Sequence, residues 1–86
     1  PDEEGRAALE HFRGYVRGAG RDVAAVGVEG RVAAARRSPE EWAEAAVAFR
    51  DLGYTHLEFN TMGAGYRGVD EHLAALRTFR EIAPVF

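Results

Sequence analysis

Four side chains able to carry protons or pair as ions share one parity of two short, apolar-rich stretches. They are Glu29 and Arg31 in the first stretch and His56 and Glu58 in the second. A histidine beside carboxylates can shuttle a proton near neutral pH. The same four groups also make an ion-pair network buried in a protein interior, with Arg31 bridging the carboxylates. The second reading is preferred, because structural ion pairs imitate active sites. His56 stands at the first residues of its stretch, far from the end where barrel enzymes place their chemistry. No catalytic residue is assigned.

A second constellation follows the second stretch. Asn60-Thr61-Met62 leads into Gly63-Ala64-Gly65-Tyr66-Arg67-Gly68, which matches G-x-G-x-x-G between a strand and a helix. A dinucleotide fingerprint needs, in addition, a following strand and an acidic residue about twenty positions on. No strand follows here. The pattern also suits a glycine-rich turn whose backbone donors meet a phosphate or cofactor, with Arg67 as a charged fork. Alternatively, the glycines simply permit positive φ in a tight turn. Asn60 has the parity of Glu58 and is either a ligand-binding amide or a turn residue. The residues expected to contact a cofactor are Asn60, Thr61, Gly63, Ala64 and Gly65. His11 and His72 lack the spacing of a helical zinc pair and read as solvated. Trp42 reads as packing against the sheet.

The elements that must position these groups alternate along the chain. Ala8, Leu9, Phe12, Tyr15, Val16 and Ala19 recur at helical spacing, predicting a helix over 2–19 ended by Gly20. Val23 to Val32 alternates and predicts a strand. Ser38-Pro39-Glu40-Glu41 carries a cap, a proline at the first helical position and a capping box, so a helix starts there and runs to Gly53. Thr55 to Thr61 predicts a second strand. Residues 69–83 predict a last helix, stopped by Pro84.

Strand, helix, strand is a parallel βαβ unit with a right-handed crossover. Two parallel strands leave two open edges and do not stand alone. Parity puts Leu57 and Phe59 on one face, and His56, Glu58 and Asn60 on the other. An open doubly wound sheet buries both faces and reads as continuous apolar runs. One greasy and one charged face suit a barrel wall instead. The fold expected is therefore α/β: two parallel strands and three helices, forming the C-terminal βαβα portion of a (β/α)₈ barrel. The 86 residues are one partial domain, since a whole barrel takes about 250.

Composition narrows the function. The net charge of −3, with arginines scattered, leaves no footprint for a nucleic-acid backbone. No run of eighteen apolar residues exists, so no membrane-spanning helix is expected. Pro1-Asp2-Glu3-Glu4 does not read as a signal peptide. With no cysteine, disulfides and thiolate metal sites are excluded, which suits a cytoplasmic protein. All eleven basic residues are arginine, a composition typical of GC-rich bacterial genes.

Val26-Gly27-Val28-Glu29-Gly30-Arg31-Val32 resembles the seventh-strand region of luciferase-like monooxygenases, particularly their deazaflavin-dependent branch. Residues 38–66, from Ser38-Pro39-Glu40-Glu41-Trp42 through Leu52-Gly53-Tyr54-Thr55-His56-Leu57 to Asn60-Thr61-Met62-Gly63-Ala64-Gly65-Tyr66, are similar to that family's last helix, strand and loop. The likeness continues into Glu71-His72-Leu73-Ala74-Ala75-Leu76-Arg77. It implies a TIM barrel that uses FMN or a deazaflavin for hydride transfer with a small-molecule substrate, often as a homo-oligomer. The family segments that hold most of the flavin ring lie outside these residues. A chain that associates with itself through open strand edges, or a segment of another phosphate-binding barrel, is the competing expectation.

Overall fold

The computed structural model describes all 86 residues, Pro1–Phe86. Helix α1 spans Glu3–Gly18, strand β1 Glu29–Ala33, helix α2 Pro39–Asp51, strand β2 His56–Asn60 and helix α3 Val69–Ile82. The architecture is mixed α/β, with three helices and a two-stranded parallel sheet.

Local chemistry sets the helix boundaries. Asp2 accepts from the Gly5 amide to cap α1, and the chain leaves that helix through Gly20 at φ 76°. Ser38 Oγ accepts from the Glu41 amide, and the Glu41 carboxylate accepts from the Ser38 amide, so the capping box of α2 is complete. Gly53, at φ 91°, ends α2. Ala83, just before Pro84, takes an extended conformation and closes α3.

The first strand is shorter than its Val-rich sequence predicts. Val23–Ala25 forms a 3-10 turn, capped by Asp22 accepting from the Ala24 amide at 3.0 Å. The ladder begins only at Glu29, because its partner β2 begins at His56. Alternating valines favour a strand, but a strand needs a neighbour to bond.

The in-register pairs are Glu29–His56, Gly30–Leu57, Arg31–Glu58, Val32–Phe59 and Ala33–Asn60. Paired residues share a face, so Gly30, Val32, Leu57 and Phe59 turn toward the helices. Val32 is fully buried in a core with Ala34, Trp42, Ala46, Ala75 and Phe79. Trp42 meets Phe59 edge-on at 4.8 Å, and its indole N–H donates to the Ala34 carbonyl at 3.4 Å. The packing expected of Trp42 is therefore present.

Helix α1 is joined to the rest by fewer contacts. Leu9 and Val16 are buried, and the Arg13 guanidinium donates to the Leu52 carbonyl at the end of α2. The molecule measures 47 × 22 × 19 Å, with a radius of gyration of 14.9 Å. A compact chain of this length has a radius of about 12 Å. Its accessible surface, 6073 Å², exceeds the roughly 5,000 Å² expected for a compact 9.4 kDa monomer.

The excess lies partly in two apolar stripes. On α1, Ala8, Phe12 and Tyr15 share one side, and Tyr15 is 78% exposed. On α3, Val69, Leu73 and Leu76 form another, with Val69 72% exposed. At 100° per residue this second stripe lies half a turn from Ala74, Ala75 and Thr78, which face α2 across a groove lined by Pro39 and Trp42.

Candidate functional site

The side of the sheet away from the helices carries Glu29, Arg31 and Ala33 beside His56, Glu58 and Asn60. Arg31 and Glu58 meet through two contacts of 3.2 Å each, Nε to Oε1 and Nη2 to Oε2, a side-on fork. The expectation of a buried network bridged by Arg31 is corrected here. The pair is 64% and 41% exposed, Glu29 makes no ion pair, and the core contains no buried charged side chain. Water reaches this face because no third element covers it. An ion pair so exposed contributes about 0–1 kcal/mol.

His56 sits at the opening of β2, and its Nδ1 hydrogen-bonds Thr55 Oγ1 at 2.7 Å. The same hydroxyl accepts from the Val28 amide at 2.8 Å, tying the N-terminal ends of the two strands together. His56 therefore lies at the opposite end of the sheet from the glycine-rich loop.

At the other end, each residue of the loop has a defined task. Asn60 Oδ1 accepts from the Met62 amide at 3.0 Å, an Asx turn that bends the chain off the strand. Its Nδ2 group has no partner within the chain. Thr61 Oγ1 hydrogen-bonds His72 Nδ1 at 2.7 Å, and His72 meets the ring of Tyr66 edge-on at 5.2 Å. Gly63 and Gly65 take φ 75° and 82°, where a side chain is strained. Ala64 and Tyr66 pack against the core. Of the expected contacts, Asn60, Thr61, Gly63 and Gly65 lie together at the C-terminal end of β2, while Ala64 turns inward.

His72 is half-buried, so the solvated reading of it is corrected. The signal was present: residues 72, 75 and 79 fall on one side of α3, and the last two are buried. His11 is exposed, as expected.

The third glycine of G-x-G-x-x-G does not act as a dinucleotide turn requires. There, the glycine lets helix and strand approach closely. A Cβ on Gly68 would meet nothing within 4 Å. The start of α3 also carries Asp70 and Glu71, and the Glu71 carboxylate accepts from the Arg67 amide. These charges already answer the helix dipole and repel a phosphate. The loop suits a neutral, hydrogen-bonding group better than an anion.

The loop after β1 approaches the same end. Arg36 adopts φ 62°, and a Cβ placed on Gly63 would stand 3.9 Å from Ala35 Cβ. The two loops together form one rim above the C-terminal ends of both strands. No cluster of three or more potential metal ligands is present, and no helix is long and apolar enough to cross a membrane. Comparison with protein-family models, with curated proteins and with solved structures gives no match to this chain.

Proposed function

We propose that this chain is the C-terminal βαβα sector of a (β/α)₈ barrel, of the luciferase-like type that uses FMN or a deazaflavin, and that it is inactive without its neighbouring strands. One observation carries the sector reading. Both edges of the sheet are open, and the outer helices α1 and α3 each bear an exposed apolar stripe. The α3 stripe points away from α2, where the next helix of a barrel ring would pack. Apolar surface of this extent on a small chain marks an interface. On this reading the charged sheet face turns toward a barrel axis, and the rim of Asn60 to Gly65 lies on the face where barrel enzymes bind their ligands.

The oxidoreductase assignment rests on the resemblance of residues 26–32, 38–66 and 71–77, and the rim is compatible with it. The free Nδ2 of Asn60 can donate to a ring carbonyl, and Gly63 and Gly65 leave an open strip of backbone with no side chain above it. Asp70 and Glu71 favour the uncharged part of such a group over its phosphate. When bound, a flavin or deazaflavin supplies hydride transfer, and the protein supplies binding and orientation. A small organic molecule is the proposed substrate, a homo-oligomer the proposed assembly and the cytoplasm the proposed location.

The coding sequence on the 5′ side of Pro1 tests the sector reading. The expected result is further βα units in the same frame, about 150 residues or more. An in-frame stop within a few codons would overturn it. Given the longer protein, Asn60→Ala is expected to weaken flavin binding about tenfold in a fluorescence titration, the loss of one buried hydrogen bond. Equal binding by the two proteins would remove the rim from the cofactor site.

A further inference from the structure

The hydrogen bonds of the sheet fix which groups of β1 remain free. Val28 O accepts from the His56 amide, and the Ala34 amide donates to Asn60 O. Even-numbered residues of β1 thus turn their backbone groups toward β2. The N–H and C=O groups of Glu29, Arg31 and Ala33 therefore point out of the open edge.

From this parity and the charges beside it we infer that β1 pairs with β1 of a second copy, antiparallel, about a two-fold axis at Gly30. That register places Glu29 opposite Arg31 of the partner copy and Arg31 opposite its Glu29. Both are hydrogen-bonded pairs, because each of these residues presents both backbone groups outward. Opposite charges directly across a ladder attract, and like charges repel. Moving the axis to Arg31 would set two arginines face to face. Charge thus selects the Gly30 register. The axis itself falls on a narrow, non-bonded pair of the ladder.

An open edge is a row of unpaired N–H and C=O groups, and a second copy of the same strand satisfies them. A four-stranded sheet also removes one open edge from each copy. The inference does not rest on the barrel reading and competes with it for this edge, which a neighbouring strand would take in an assembled barrel; the dimer is a property of the 86-residue chain by itself.

Light scattering behind size-exclusion chromatography, on the 86-residue chain across a concentration series, tests it with two charge variants. The unaltered chain is expected at twice 9.4 kDa. Glu29→Arg sets arginine against arginine in both pairs, and Arg31→Glu sets glutamate against glutamate. Each variant alone is expected to dissociate at about tenfold higher concentration or more. An equimolar mixture restores opposite charges in every pair and is expected to return to the dimer. Circular dichroism of each variant separates lost pairing from lost folding. A monomeric unaltered chain, single variants as dimeric as it, or a mixture no tighter than its components would each overturn the inference.

Discussion

Phe59 of β2 lies flat against Phe79 of α3, ring centroids 4.2 Å apart and planes within 5°. Trp42 closes on the same ring from α2, edge-on at 4.8 Å. Phe59 is therefore the point at which strand, second helix and third helix meet. Phe79→Ala should cost about 3 kcal/mol, the lost transfer free energy plus the cavity left behind. Total stability for a chain of this length is only about 4–13 kcal/mol. Urea denaturation followed by Trp42 fluorescence should show a midpoint much lowered for Phe79→Ala and less so for Phe79→Leu. An unchanged midpoint would mean that α3 does not depend on this stack.

Gly30 is closed to any side chain. A Cβ there would stand 2.7 Å from Phe49 Cδ1 and 2.9 Å from two further ring atoms. The Phe49 ring is also held edge-on by Tyr54 at 4.8 Å, so it does not swing freely. Gly30→Ala should cost about 1–3 kcal/mol by overpacking. Combined with Phe49→Leu, the loss should be smaller than the sum of the two single losses, since the second change opens the space the first needs. Additive losses in a double-mutant cycle would refute the contact.

Ser38 and Glu41 cap α2 reciprocally. Ser38→Ala should cost about 1 kcal/mol and Ser38→Gly only a few tenths, because glycine is tolerated at this position. Thermal melts of the three proteins measure the order. A glycine variant weaker than the alanine one would contradict it.

Helix α2 was legible because its start signals are local: four consecutive residues carry the cap, the proline and the box. The faces of the sheet were legible for a similar reason. A period of two fixes which residues share a side, and Leu57 and Phe59 do lie opposite Glu29 and Arg31. The start of β1 was not legible. Val26 and Val28 alternate with Gly27 as strand residues do, yet pairing depends on where β2 begins, and that lies some thirty residues away. The exposure of Arg31 and Glu58 was equally hidden, since parity says which residues share a face but not whether anything covers it. At the site, the loop glycines were readable as turn residues. The inward turn of Ala64 and the Thr61–His72 bond depend on how α3 folds back over the loop.

That bond leads to the last prediction. Thr61 Oγ1 and His72 Nδ1 stand 2.7 Å apart, half-buried, with the Tyr66 ring against the imidazole. The pair anchors the rim of the candidate site to α3, eleven residues on. A hydrogen bond of this kind contributes about 0.5–1.5 kcal/mol net. Thr61→Val keeps the shape and removes the hydroxyl, and His72→Phe keeps the ring and removes the nitrogen. Each single change leaves one polar group without its partner, while the double change leaves neither. The double variant should therefore be more stable than the sum of the two single losses allows, by a coupling of about 0.5–1.5 kcal/mol. Denaturation midpoints for the four proteins of the cycle give that coupling directly. A coupling near zero would mean that the loop holds its shape through Gly63, Gly65 and the packing of Ala64 alone, and that His72 acts only as a flat ring beside Tyr66.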